Sequence, residues 1–377
     1  MTQAEKLLCD LVALPSVNPA FLPPGHAQAG EGRVAEFLAA TAARAGLEVS
    51  WQEALPGRRN LIARLSPSGK VKRRILLAPH LDTVAAFSED QFVPRLRQGR
   101  IFGRGACDTK GSVAAMLSAL IVLAGRGARP AGTEFIFAGL MDEELEQGGS
   151  RALAGSGLRA DLAIVGEPTG LRVVTAHKGN VWLRLATRGK AAHGSCPHLG
   201  RNAVHEMARI VDLLQTRYTR QLQGRTHPLL GAATVSVGSM HGGSQPNIVP
   251  AECLATADRR TLPGETELSV IREIKALLRE HGLRASFANE KSVPCPPLET
   301  DHRLPLVQTL LAAAGQKTPA GATYFCDAAI LAESGIPSVV FGPGHIAQAH
   351  TAEEWVSTAS LAQATQVLLK FFRSLSS

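Results

Sequence analysis

Ile75-Leu76-Leu77-Ala78-Pro79-His80-Leu81-Asp82 joins a short apolar run to a proline, and then to an imidazole and a carboxylate two residues apart. An apolar run this short, bounded by turn chemistry, reads as a strand buried on both faces. Two further segments have the same form. Residues 135–140 (FIFAGL) end in Met141-Asp142-Glu143-Glu144, and residues 162–165 (LAIV) end in Gly166-Glu167-Pro168-Thr169. Between the first two, residues 111–123 form an apolar helix introduced by Gly103-Arg104-Gly105-Ala106-Cys107-Asp108-Thr109-Lys110-Gly111. Buried strand, polar break and helix in repetition make an α/β pattern, in which chemistry gathers beyond the carboxyl ends of the strands.

On the N-terminal side, residues 2–14 read as an amphipathic helix stopped by Pro15, 15–30 as a proline- and glycine-rich loop, and 31–45 as a helix closed by Gly46. Strands follow at 47–51 and 61–65. The character changes after about His177. Residues 181–187 alternate as a strand with one wet face, 201–214 are helical, 234–237 and 252–258 are strands, 267–281 is a helix stopped by Gly282, and 283–287 is a strand. This βαββαβ order predicts a small α+β unit with an open sheet, inserted into the larger fold. The apolar runs then resume, with helices at 304–313, 327–332 and 358–372 and a strand at 338–341. The expected organisation is a catalytic domain formed by 1–177 and 291–377, with a mostly parallel or mixed sheet flanked by helices. The inserted domain is 178–290.

Composition excludes several function classes. Apolar residues are 45% and charged residues 19% of the 377, as in ordinary soluble domains. The longest apolar run, 113–124, is too short to span a bilayer. No basic stretch feeds an apolar one at the N-terminus, so cytoplasm is the expected location. Six cysteines are scattered without a C-x-x-C pair, which argues against a disulfide scaffold and a zinc-thiolate cluster. The net charge of +8 is not accompanied by aromatics interleaved with basic clusters. Nucleic acid is therefore not an expected partner, and anionic small molecules are.

The chemistry-bearing residues fall at the breaks. His80 and Asp82, two apart on an extended segment, point the same way, so one can bind a metal while the other fixes the imidazole. Asp108, flanked by glycines, can bridge two cations or cap the following helix. The acidic run containing Glu143 and Glu144 is costly unless exposed or neutralised by a cation. Two adjacent glutamates can divide the labour, one holding metal and one facing water. Glu167 ends a strand as the acid of a second ion. His350 closes the set in a shaped loop, with His345 as rival. His80, Asp108 and Glu167 then make one three-ligand site, and His350, Asp108 and Glu144 the other. Nitrogen and oxygen ligands without thiolates suit zinc, and also cobalt or manganese.

The motifs Pro-His-Leu-Asp-Thr, Gly-Arg-Gly-Ala-Cys-Asp-Thr-Lys-Gly, Asp-Glu-Glu, Gly-Glu-Pro-Thr and the final Ala-His resemble, in order and over essentially the whole chain, the dinuclear zinc amidohydrolase family. That family includes acetylornithine deacetylase, succinyl-diaminopimelate desuccinylase, aminoacylase and glutamate-releasing carboxypeptidases. The resemblance implies two divalent ions held by His80, Asp108, Glu144, Glu167 and His350, with Glu143 as general base and Asp82 behind His80. It implies that the inserted domain is a lid and dimerisation domain, with His193 of Ala192-His193-Gly194 reaching the partner subunit's site. Asn247, Arg260 and Gly344 match substrate-side positions. Thr109 departs from the methionine many members carry.

The expected reaction is hydrolysis of an N-acyl amino acid by a homodimer. The Asp-Arg-Arg-Thr-Leu-Pro-Gly-Glu run and the Gly-Pro-Gly loop resemble acetylornithine deacetylase-like members most. A carboxypeptidase or dipeptidase, and a catalytically inactive binding protein on the same scaffold, are the other readings.

Overall fold

A computed structural model of the chain describes residues 1–125, 131–291 and 293–375. It divides into two compact units. The larger comprises Met1–Thr175, Thr300–Ala320 and Cys326–Ser377, and the smaller Ala176–Glu299 and Gly321–Phe325. The return crossing thus falls near Glu299 rather than at the expected 290, and five residues at 321–325 also join the small unit.

In the larger unit, Glu48–Leu55 and Arg58–Leu65 form an antiparallel hairpin, and Arg58–Leu65 pairs antiparallel with Thr133–Gly139. Four parallel strands then lie side by side in the order Thr133–Gly139, Arg73–Pro79, Leu162–Gly166 and Ser338–Val340. The sheet is therefore mixed, with a parallel centre. These central strands are continuous apolar runs because helices cover both faces. Lys110–Ala124 is buried along nearly its whole circumference, as expected of a helix hydrophobic all round. Thr358–Ser374 packs nearby, and the Phe135 and Phe372 rings sit 4.6 Å apart.

Sheet register positions the chemistry. Pro79 is paired with Gly166 in parallel, so the next residues of the two strands, His80 and Glu167, emerge side by side. The turn bearing Glu143 and Glu144 follows Thr133–Gly139 on the other flank of Arg73–Pro79.

The smaller unit is a four-stranded antiparallel sheet in the order Thr234–Gly242, Glu252–Thr261, Gly179–Arg188, Ser286–Asn289. Helices Ala203–Leu213 and Glu267–Glu280 bury Met207, Ile210, Ile274 and Leu278 in its core. Both helices carry side-chain caps, from Asn202 and Thr266. The last strand begins at Ser286, three residues later than the sequence pattern predicts. Several elements have no counterpart in the sequence reading. They include the helix Gly148–Gly155, the small sheet of Arg95–Arg97, Arg100–Phe102 and Trp355–Ser357, and the π-helical turn Leu214–Tyr218.

Candidate metal centre

His80, Asp108, Glu144, Glu167 and His350 converge in the larger unit. His80 Nε2 lies 3.0 Å from Asp108 Oδ1 and 3.7 Å from Glu167 Oε1. His350 Nε2 lies 3.4 Å from Asp108 Oδ2 and 3.2 Å from Glu144. The two triads thus share Asp108, one carboxylate oxygen facing each histidine. His345 is elsewhere engaged. Its Nδ1 accepts the Ala347 N–H at 3.2 Å and caps the short turn Ile346–Gln348, and it is His350, not His345, that lies with Asp108 and Glu144.

Asp82 works in two directions. Its main-chain carbonyl accepts from His80 Nδ1 at 3.0 Å, which directs Nε2 toward the acids. Its carboxylate accepts the N–H groups of Glu143 and Glu144 at 3.1 Å each. One residue therefore orients the imidazole and the acidic turn together. Asn18 supports it, donating to Asp82 Oδ2 at 2.8 Å and Asp142 Oδ1 at 3.0 Å. The loop carrying Asp108 is tied to the rest by Thr109 Oγ1, which donates to the Gly166 carbonyl at 2.8 Å. The Asp108–Thr109 peptide is cis.

Asn18 and Glu354 are site residues that sequence reasoning missed. Glu354 Oε1 accepts from the N–H groups of Cys107 and Asp108, and Oε2 accepts from Gly105 N–H and from Arg104, whose guanidinium is 2.7 Å away. The Asn-Pro step at 18–19 signals a turn, which was available in the sequence. Nothing distinguishes Glu354 from its exposed neighbour Glu353.

The electrostatics are those of an acid-rich pocket. Burial, followed by the charges of neighbouring carboxylates, raises Glu143 and Glu167 well above the usual carboxyl range and raises Glu144 as well. Burial alone would also raise Asp108, but hydrogen bonds to His350 and His80 outweigh it and hold Asp108 low. Burial would lower His80, yet its bonds to Asp108 and Asp82 raise it well above its ordinary value. Hydrogen bonds to Asp108 and Glu144 push His350 up to about 10. The Cys107 thiol is pushed up by burial, its Sγ donates toward the His345 carbonyl at 3.5 Å, and it belongs to neither triad.

These residues fit divalent cations. Glu167 Oε1 is buried without a hydrogen-bond partner, and the mutual repulsion of the acids is what cations would relieve. The carboxylate of Glu143 accepts no hydrogen bond among the described residues, which leaves it free to face water.

Gly344 lies beside this loop with φ +81°, and a Cβ there would meet Cys107 Sγ at 2.5 Å. The remaining expected residues lie in the smaller unit. His193 and Asn247 belong to adjoining segments, since Gly194 N–H donates to the Asn247 carbonyl at 2.7 Å. His193 Nδ1 accepts the Ser195 N–H at 3.1 Å, which selects the tautomer with the proton on Nε2. Arg260 is held bidentately by Asp258, at 2.9 and 3.2 Å.

Two acid–imidazole triads sharing one carboxylate, set beyond the ends of parallel strands, are the equipment of a metal-dependent amidohydrolase. The chain belongs to peptidase family M20/M25/M40, whose family model matches residues 76–374. It is 30% identical to acetylornithine deacetylase of Edwardsiella ictaluri (strain 93-146) over 364 residues, covering 92% of this chain and 91% of that protein. Among solved structures it resembles aminopeptidase PepT from Bacillus cereus ATCC 10987, at TM-score 0.80 and 21% identity, with 100% of this chain and 98% of that one covered. It also resembles YxeP of Bacillus subtilis, a dinuclear metal-binding peptidase of family M20, at TM-score 0.72 and 14% identity, with 99% and 97% covered. Among the described residues no helix is long and apolar enough to cross a membrane.

Proposed function

We propose that the protein hydrolyses the amide bond of an N-acyl amino acid in the manner of an acetylornithine deacetylase, using two zinc ions. The observation that carries this reading is the placement of the Asp108 oxygens, each facing its own histidine–glutamate pair. The 30% identity to a deacetylase over most of both chains supports the substrate class.

His80, Asp108 and Glu167 would hold one ion, and His350, Asp108 and Glu144 the other. Bound there, the ions supply Lewis acidity and lower the pKa of water. Glu143 takes the proton of the attacking water on its free carboxylate and returns it to the leaving amine. Its burial and acidic surroundings raise its proton affinity in the metal-free protein, and cations bound beside it would offset that rise. Asp82 keeps Glu143 in place through the main chain. His193, with its proton on Nε2, donates to the developing oxyanion. Asn247 and Arg260 contact the substrate, with Arg260 gripping the α-carboxylate.

The protein acts as a homodimer in this reading, each His193 serving the partner's site. The strand Thr234–Gly242 supports that assembly, because it is paired on one side only and carries the exposed Met240.

The test is metal analysis combined with a turnover screen of N-acetyl and N-succinyl amino acids against dipeptides. Two ions per chain and at least about ten-fold higher kcat/KM for an N-acyl amino acid are expected. Preference for dipeptides would replace the deacylase reading with a peptidase one.

A further inference from the structure

Arg188, Arg201, Arg209 and Arg284, with His205 and Glu206, line one hollow of about 800 Å³ in the smaller unit. None of them belongs to the candidate catalytic machinery. The arginines come from separate places in the chain: the end of strand Gly179–Arg188, the segment leading into helix Ala203–Leu213, that helix itself, and the turn before Ser286–Asn289. The concavity is thus a product of the fold and not of a basic run in the sequence.

Among the described residues none of the four guanidiniums has an acidic partner at ion-pair distance. Arg201 is held in place by a main-chain bond, its Nη2 donating to the Arg188 carbonyl at 3.0 Å. Glu206 is the one carboxylate in the lining. Four guanidiniums against one carboxylate leave three positive charges in excess. A second hollow of about 700 Å³ adjoins through Leu283, Arg284 and Ala285 and adds Arg272, Lys275 and Arg279.

The size matches a small molecule, since ligand pockets commonly span about 300–1,000 Å³. The lining of the first hollow includes no Phe, Tyr or Trp, so it lacks the large stacking surfaces on which single-stranded nucleic acid is held. Guanidinium forks pair with phosphate oxygens two at a time. We propose that this hollow is a binding site for a small oligophosphate anion, either free or as the phosphate tail of a nucleotide.

The experiment is calorimetric titration of the full, metal-loaded protein with inorganic triphosphate. Mg²⁺ is kept in excess, and metal content is measured afterwards so that stripping of the active-site ions is recognised. The site predicts saturable one-to-one binding that weakens at least about ten-fold in the double variant Arg188→Glu/Arg284→Glu, while hydrolysis without triphosphate is unchanged. Nucleoside triphosphate binding more tightly than triphosphate assigns the source as a nucleotide, and equal binding assigns it as the phosphate chain alone. The proposal is overturned by the absence of saturable binding, by equal binding to the double variant, or by an equal loss in Arg272→Glu, which would indicate a diffuse basic surface. Tighter binding of a single-stranded oligonucleotide than of either small anion overturns it in favour of a nucleic-acid face.

Discussion

Glu354 accepts the main-chain N–H of Asp108 at 3.0 Å, across 246 residues of sequence. Four residues before it, on the same loop, stands His350, which faces the same aspartate. The carboxylate of Glu354 therefore ties the segment holding the shared ligand to the segment holding the histidine of one triad. Its four accepted bonds, three from main-chain N–H groups and one from Arg104, leave little freedom to either segment.

Replacing Glu354 should consequently loosen the metal centre without touching a ligand. Glu354→Gln keeps the volume but presents N–H groups where the site supplies only donors. We expect a loss of about 10–100-fold in zinc affinity, the usual range for residues that orient ligands. Chelator competition measures it, with circular dichroism to confirm the fold. Unchanged affinity would mean that Asp108 is positioned by other contacts.

The candidate metal-binding side chains, and Asp82 behind His80, were legible in the sequence as groups at the ends of apolar runs, whereas Asn18 and Glu354 were not. His80, Glu144 and Glu167 follow continuous apolar runs, and parallel strands bring the residues beyond such runs to one edge. Asn18 and Glu354 act through main-chain N–H groups far away in sequence, and those pairings exist only once the loops have closed. The helix Gly148–Gly155 escaped because it opens with two glycines, which propensity reads as a loop. A Cβ on Gly149 would meet Met141 N at 2.4 Å, so close packing and not helix preference selects glycine there. The chain returns to the larger unit just after the two-residue strand Leu298–Glu299, which is too short to show as a strand pattern in the sequence.

Metal binding should release protons and strengthen as pH rises. In the metal-free protein His350 is shifted from 6.5 to about 10, so its ion pairs contribute fully below 6.5 and are lost as pH rises through about 10. Glu143 and Glu167 are raised from 4.5 and have the same sign, favouring the folded state below 4.5 and losing that contribution as pH rises through their folded values. Asp108 is lowered from 3.8, so its contribution is lost only in strong acid. Between about pH 5 and 9 the metal-free protein should therefore lose stability as pH rises. Bound ions displace these protons, so the difference in Tm between loaded and metal-free protein should widen over the same range. A gap that is constant with pH would contradict the proton release.

Glu143 and Glu144 are adjacent yet should separate cleanly. Glu143→Gln should retain both ions and lose about 10²–10⁴-fold in kcat, because an amide cannot shuttle a proton. Glu144→Gln should lose affinity for one ion. Metal content and turnover of both variants decide the matter. Equal metal loss would show that the two roles are shared.

His193 is proposed to serve a partner's site, and mixing inactive subunits tests this. Hybrids of His193→Ala with Glu143→Gln contain one site that receives both native groups if His193 acts across the dimer. Partial recovery of activity is expected. No recovery, with mixed dimers demonstrated, would place His193 in its own subunit's site or outside the mechanism.

Arg260 carries the sharpest test of substrate recognition, because the structure gives it a competing task. Its guanidinium is held bidentately by Asp258 and lies 5.6 Å from the Phe325 ring centroid. The Trp182 indole N–H also donates to Asp258 at 3.1 Å, which draws part of that carboxylate away from Arg260. An arginine at about 29% side-chain exposure retains donors for an incoming carboxylate, and its planar fork fits one. Arg260→Ala should lower kcat/KM for free-acid substrates by about 2–5 kcal/mol equivalent, the range for truncating one partner of a buried charge pair. The corresponding amides and esters should suffer far less. Arg260→Lys should recover only a fraction, because the bidentate geometry is lost. An equal loss on acids and amides would show instead that Arg260 serves mainly to neutralise Asp258 within its own unit.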